Sequence, residues 1–393
     1  MKKIIFAVGV YDTTDLFSSC LSKAFEKMGF ESIFLDLSQI QDSLKKLGKI
    51  PPEEIFAAVV FNNLAYRIEL EEGVNYWEKE KIPYVNILMD HPFHYKKHLE
   101  CIPDTAIVIC TDKNHVTFLH TYMPDLKQVY FLPHAGVLLH ENVKPIKERK
   151  IPILYAGSLP FASAGLLVPD LSAITSFDAI DLSKRVLDSL IKSPEQTTEE
   201  AILSYLSEKK LVFSMEETYE IIYKMRFLDS YATSYFREQS IRLLVENGFD
   251  VTVYGSGWDI CEWTKNLHFK YMGKVLAPEV LLLMQDSKIV LHTQTWYKNG
   301  AHDRIYNGML SKACVVSDTS LYLKETLQNE KEIIFFEREN IEKLPQIIDH
   351  LLCNPDKMQE IADTGFLHAK ENHTWEVRAK EIRTIIESCR KED

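Results

Sequence analysis

Three groups of residues have the types and spacing that chemistry needs. The first is HTQTWYKNGAHDRIYNGMLSKACVVSD, residues 292–318, which is polar where a buried strand should end and then opens a short helix at His302, Asp303 and Arg304. A phosphate at that helix start would meet unpaired N–H groups and the positive end of the macrodipole, and the Arg304 fork can take two oxygens at once. Asn307, one turn later on the same face, is placed to hydrogen-bond a ribose hydroxyl. The plainer alternative is that Asp303 caps the helix while Arg304 and Asn307 are solvated.

The second group is YGSGWD, residues 254–259. Following a strand, Gly255 and Gly257 would let the backbone around Ser256 approach a phosphate or sugar with no Cβ in the way, between Tyr254 and Trp258. An ordinary tight turn would use the same glycines. A dinucleotide fingerprint would need Gly or Ala at position 260, where the chain has Ile260, so no nicotinamide cofactor is expected. The third group is MDHPFHYKKH, residues 89–98. Asp90 and His91 end a strand there and suit acid, base or substrate-positioning work, against the plainer reading of an Asx-type turn. His94 and His98 have the i, i+4 spacing of two metal ligands on a helix, but no partner cluster lies nearby and no metal is expected.

Elements that could hold these groups alternate along the chain. From residue 1 to about 140, apolar runs (KKIIFAVGV, ESIFLDL, FAAVVFN, PYVNILM, TAIVICT, QVYFLP) are separated by amphipathic stretches, with helices expected near 67–80 and 112–123. A polar, proline-flanked linker over 141–150 precedes a second series: IPILYAG, DVTVYGS, HFKYMG, KIVLHTQ, ACVVSD and EIIFFE. Continuous apolar strands are buried on both faces, so each series predicts a parallel sheet covered by helices. Residues 151–365 then form a second domain with a helical insert over 160–238, and 366–393 are C-terminal helices, the last capped by Thr374.

In parallel sheets of this kind a ligand sits outside the carboxyl ends of the strands. The residues just after the strands are Asn62, Asn63, Asp90, His91, Thr111, Asp112 and His134 in the first series. In the second they are Gly157, Ser158, Gly255 to Gly257, His292 with Gln294, and Ser317 with Asp318. If two such sheets face each other across a cleft, these groups converge on one large site.

Composition narrows the partners. The 393 residues carry a formal charge of -12, a field that repels a phosphate backbone, so nucleic acid is not expected. Seven scattered cysteines with no CxxC pair read as reduced thiols. Lys2 and Lys3 before the run Ile4 to Val10 superficially suit a leader, but Asp12 and Asp15 follow, so this reads as a first buried strand. No transmembrane segment is expected and the cytoplasm is the expected compartment.

VTVYGSGW, YMGKV, the 292–318 stretch and NHTWEVRAKEI resemble, in that order, the GT-B glycosyltransferases, in particular CgeB-like proteins with a group-1-type C-terminal domain. The likeness runs over about 240–385 and is only architectural over 1–140. It implies an α/β fold of two facing Rossmann-like domains, a nucleotide-sugar donor on the second and an acceptor against the first, with no obligatory metal. Carried over by position, the turn at Gly255 to Gly257 borders the donor and Arg304 faces its diphosphate. Two departures stand out: Asn307 occupies a place where many relatives have Glu gripping ribose hydroxyls, and Lys312 a place where Gly is usual.

The expected activity is therefore transfer of a sugar from a nucleotide sugar, a UDP-sugar favoured, to a carbohydrate, glycoconjugate or protein acceptor, with no separate cofactor. Asp90, His91 and Arg304 are the expected catalytic residues. Gly157, Ser158, Tyr254, Gly255, Ser256, Gly257, Trp258, His292, Gln294, His302, Arg304 and Asn307 are the expected donor-binding ones. A sugar-nucleotide epimerase of the same architecture would bind the nucleotide alike but transfer nothing, and a non-catalytic two-lobed sugar-binding protein would not bind nucleotide tightly.

Overall fold

In the computed structural model, which describes residues 1–160, 170–172, 174–259, 262–294 and 296–392, the chain divides into two units. Unit 1 holds Met1–Val137, Leu276–Pro278 and Lys370–Asp393, and unit 2 holds Leu138–Val275 and Glu279–Ala369. The expected linker over 141–150 thus lies inside unit 2. The final helix, expected as a separate C-terminal piece, belongs to unit 1. Cys261, counted among the reduced thiols, and Ile260 lie outside the described residues.

Unit 1 is built on strands β1 (Lys3–Val8), β2 (Glu31–Asp36), β3 (Ile55–Phe61), a small hairpin of β4 (Glu69–Glu71) and β5 (Val74–Asn75), and β6 (Tyr84–Leu88), β7 (Ala106–Cys110) and β8 (Val129–Phe131). Its main sheet has the order β2-β1-β3-β6-β7-β8, every pair parallel. β3, β6 and β7 are buried at every position, which is why they read as uninterrupted apolar runs. Helix α1 (Asp12–Lys27) buries Phe17, Leu21, Ala24 and Phe25, the spacing of one helical face. Phe17 meets Trp375 of the C-terminal helix at 4.8 Å between ring centroids, so this helix closes one side of the unit 1 core. The helix expected over 67–80 is instead the β4–β5 hairpin and one short turn. Gly73 has φ +74 and donates its N–H to the Glu69 carboxylate, a tight turn that ends helical continuity.

Unit 2 carries β9 (Ile151–Ala156), β10 (Val251–Tyr254), β11 (Phe269–Tyr271), β12 (Ser287–His292), β13 (Cys314–Ser317) and β14 (Ile334–Phe335) in the parallel order β11-β10-β9-β12-β13-β14. Counted within the unit this is 3-2-1-4-5-6, the doubly wound order in which the chain reverses direction between the first and fourth strands. Between β9 and β10 lie the inserted helices α3 (Ala179–Lys192), α4 (Thr198–Glu208), α5 (Met215–Met225) and α6 (Phe227–Glu246). Local chemistry starts them sharply. Asp178 caps α3, and Thr197 with Glu200 and Ser214 with Glu217 form capping boxes on α4 and α5. α6 packs on α3, on β10 and on the helix Leu344–Cys353, so the insert is joined to the unit 2 core. Among the described residues, no helix is long and apolar enough to cross a membrane.

Candidate active site

The reversal in unit 2 places the ends of β9 and β12 side by side, where helices leave on opposite faces and open a crevice. After β9 come Gly157 and Ser158. The Gly157 N–H donates to the Tyr254 carbonyl at 2.8 Å, and the Leu159 N–H to the Ser256 carbonyl at 2.8 Å. Ser158 Oγ accepts from the Ser256 N–H at 3.1 Å. Gly255 has φ +136, and a Cβ there would lie 2.4 Å from the Gly157 carbonyl oxygen, so the two turns interlock only if residue 255 is glycine. Trp258 is fully buried in the core, its indole N–H donating to the Gly157 carbonyl at 2.8 Å. It braces the turn from behind.

Helix α7 (Asp303–Leu310) begins beside this turn. Arg304 reaches back so that a Cβ on Gly157 would sit 3.3 Å from its Nη1. That Nη1 is buried and has no hydrogen-bond partner among the described residues. His302 Nδ1 lies 2.5 Å from Asp303 Oδ1 and 3.3 Å from the Arg304 backbone N. One nitrogen cannot both donate and accept, and the shorter contact to a carboxylate is the stronger, so the proton sits on Nδ1 and the Arg304 N–H stays available. Asp303 is thus not the helix cap. Its other oxygen accepts from Asn307 Nδ2 at 2.8 Å.

The loop between β12 and α7 is fixed from inside. Gln294 Nε2 donates to the Gly300 carbonyl at 3.1 Å while its Oε1 accepts from the His302 N–H at 3.0 Å. Its own backbone N–H donates to Asp318 Oδ1 at 2.5 Å. Asp318 is in turn 3.1 Å from Arg338 Nε, a pair buried on both sides. Burial pushes the Asp318 carboxyl upward, against the opposing pull of Arg338. His292, the last residue of β12, is fully buried, with its ring 4.8 Å from that of His302. Burial first, then the Arg304 and Arg237 charges among others, hold both imidazoles below the usual histidine range, so both are neutral at pH 7.

In unit 1, chain reversal falls between β1 and β3. Asn62, Asn63 and Ala65 after β3 have φ of 48°, 62° and 55°, three left-handed residues in four positions. Their loop is braced by donors: Trp77 Nε1 to the Ala65 carbonyl at 2.7 Å, the Tyr84 hydroxyl to the Leu64 carbonyl at 2.8 Å, and Asn86 Nδ2 to Asn63 Oδ1 at 2.8 Å. One strand over, Asp90 accepts from the Tyr95 hydroxyl at 2.7 Å. His91 is buried and stacked on Phe93 at 3.7 Å, and its Nδ1 accepts from the Phe93 N–H at 3.2 Å, which puts its proton on Nε2. Burial holds it neutral. His94 lies in the 3-10 turn Pro92–Tyr95 and His98 in the short helix Lys96–Leu99, so the pair does not share one continuous helix.

Residues 237–384 match the family model described as glycosyl transferase-like. The chain is similar to sucrose-phosphate synthase from Thermosynechococcus elongatus, with a TM-score of 0.56, 10% identity and 100% of both chains covered. It is similar to a glycosyltransferase from Rickettsia africae, with a TM-score of 0.52, 11% identity and coverage of 100% of this chain and 99% of that one. An α-glucosyltransferase solved with UDP-glucose and with DNA containing an abasic site gives a TM-score of 0.55 at 12% identity, with 98% of each chain covered. By domain and by fold, the chain is a glycosyltransferase. No curated protein sequence matches it.

In this GT-B glycosyltransferase the sequence-expected donor residues fall into two kinds. Gly157, Ser158, Gly255, Ser256, Gly257, His302 and Arg304 meet at one strand-end crevice. Tyr254 ends β10, His292 is sealed in the core, and Trp258, Gln294 and Asn307 direct polar groups at the protein itself, so these hold the site's shape. Asp90 and His91 belong to unit 1. Sequence reasoning did not single out Arg237, Lys298 and Arg338. Arg237 was detectable as a charge inside the buried stripe Thr233, Arg237, Ile241, Leu244 of α6. Lys298 donates to the Pro194 carbonyl at 2.7 Å, and burial next to Arg338 lowers its pKa to about 7. Lys312 has φ +50 at the end of α7: its N–H donates to the Met309 carbonyl at 2.9 Å and that of Ala313 to Gly308 at 3.1 Å, a Schellman turn that favours glycine.

Proposed function

We propose that this glycosyltransferase moves a sugar from a UDP-sugar to a carbohydrate, glycoconjugate or protein acceptor without a metal ion, as a CgeB-like member of the GT-B class. The observation that carries the reading is the unpartnered Arg304 Nη1, buried over Gly157 beside the N-terminus of α7. A buried guanidinium donor without an acceptor costs stability, and an oxyanion supplied by ligand answers it. UDP-glucose is bound by the similarly folded α-glucosyltransferase, which supports uridine over other bases. The transfer breaks the bond between the anomeric carbon and the diphosphate oxygen and forms one to an acceptor hydroxyl. Negative charge grows on the leaving diphosphate, where Arg304 and the α7 N-terminus would take it up.

For the acceptor's proton we assign Asp90 ahead of His91. The only unprotonated nitrogen of His91 already accepts a backbone N–H, whereas a carboxylate held by one tyrosine hydroxyl keeps lone pairs free. With Asp90 as base the transfer inverts the anomeric centre. The test is a panel of nucleotide sugars incubated with the purified chain in excess EDTA, reading release of free nucleoside diphosphate. Release from UDP-sugars that persists in EDTA is expected. Activity only with another base, or only after a divalent metal is restored, would refute the uridine or the metal-free reading respectively.

A further inference from the structure

The helices between β9 and β10 hold one feature that a decorative insert would not need. α6 runs from the insert to the start of β10, and its buried stripe includes Arg237, only 3% exposed. The guanidinium donates through Nη1 to the Ser158 carbonyl at 2.5 Å. Its carbon stands 5.1 Å from the ring centroid of Trp296, in the loop between β12 and α7, a cation–π contact that fixes the plane of the fork. Ser158 follows Gly157, the residue beneath Arg304. Two guanidinium groups from two different helices therefore bracket one dipeptide at the crevice. From α6 and α7, we propose that Arg237 and Arg304 clasp the donor's diphosphate together, which makes the inserted helices part of the donor site.

This assignment rests on the donor-site reading above. Three further observations agree with it. The Ser158 carbonyl answers one of the five N–H donors of Arg237, and the rest of the fork lies beside the turn. His292 and His302 both feel Arg304 and Arg237, so the two cations act on the same pair of rings. The third concerns α6 itself. A helix whose only task was to cover β10 would present an aliphatic residue at position 237, as it does at Ile241 and Leu244.

The experiment is calorimetric titration of the full chain with inorganic pyrophosphate, comparing wild type with Arg237→Gln, Arg237→Lys and Arg304→Gln, each checked by thermal melting. Arg237→Gln should weaken pyrophosphate binding by about tenfold or more, the size of one lost charge-assisted hydrogen bond. If folded Arg237→Gln binds like wild type while Arg304→Gln is weakened, the clasp is wrong and the donor site stands. If neither substitution changes binding, or wild type binds no pyrophosphate, both readings fall. Should Arg237→Gln not fold, Arg237→Lys decides. A single ammonium engaged by the Ser158 carbonyl has less to offer the anion, so about a threefold loss is expected and unchanged binding overturns the proposal.

Discussion

Replacing Arg304 by alanine should move activity and stability in opposite directions. In the free protein Nη1 is buried without a partner. An unsatisfied buried donor costs about 1–3 kcal/mol, and the aliphatic stem lost on truncation takes back about 1 kcal/mol of packing. The net is a change between zero and about 1 kcal/mol in favour of folding, or an upward shift of about 2–4 °C in melting temperature for a unit of this size. In the transition state the same guanidinium faces the growing charge of the leaving diphosphate, and one preorganised donor of that kind contributes about 3–4 kcal/mol, so turnover should fall by two orders of magnitude or more. The assay pairs donor turnover at saturating UDP-sugar with melting curves taken with and without pyrophosphate. Pyrophosphate at a hundred times its Kd should stabilise wild type by about 2.7 kcal/mol and the variant far less. A folded variant with unchanged turnover, or one that loses more than about 2 kcal/mol of stability, would show that Arg304 is a structural residue.

Gly255→Ala places a methyl 2.4 Å from the Gly157 carbonyl oxygen at φ +136, so it should cost about 3 kcal/mol or more in urea denaturation; a loss under about 1 kcal/mol would mean the interlocked turns can part. Gly157→Ala meets Arg304 Nη1 at 3.3 Å and Tyr155 at 3.0 Å, so it should leave the fold intact and lower turnover several-fold by displacing the guanidinium, checked by kcat beside a melting curve. Lys312→Gly should stabilise by about 1 kcal/mol by relieving the left-handed cost at φ +50, partly offset by losing the ammonium 4.6 Å over Phe366; a lower urea midpoint would contradict this. His115 is pushed down to about 3 by burial first and His91 second, so only the unfolded chain takes up its proton between about pH 6.5 and 3. The stability His115 contributes is complete above about pH 6.5 and is lost at about 1.4 kcal/mol per unit as pH falls. His91 adds to this loss, while the raised carboxyls of Asp318 and Glu199 oppose it, so the readout is the difference in slope between wild type and His115→Gln. Identical slopes would refute the assignment.

The two parallel sheets were legible because β3, β6, β7 and β12 are buried on both faces, and burial on both faces writes itself as an unbroken apolar run. The hairpin at 69–75 was not, because Leu70 and Val74 are exposed and its register is set by one glycine and one carboxylate contact. At the site, sequence could place a glycine, an arginine and a helix start near strand ends, since those positions follow from chain direction. It could not tell a side chain that faces the crevice from one that faces inward, which is why Gln294, Trp258 and Asn307 stood beside Arg304 as equals. Arg237 was hidden because it comes from the insert, 79 residues along the chain from its partner Ser158.

The departures at Asn307 and Asp303 make sense together. A carboxylate in the first turn of α7 would ordinarily cap the helix and fill the place an anion needs. Here one oxygen of Asp303 is engaged by His302 Nδ1 and the other by Asn307 Nδ2, so neither caps the helix start. A glutamate at position 307 would set a second carboxylate against the first one turn away, inside a buried pair, and like charges at that spacing repel. Asparagine at 307 is therefore what allows Asp303 to stay ionised, and Asp303 fixes the tautomer of His302. The N–H of Arg304 and its guanidinium are left facing the crevice, where an oxyanion can take both.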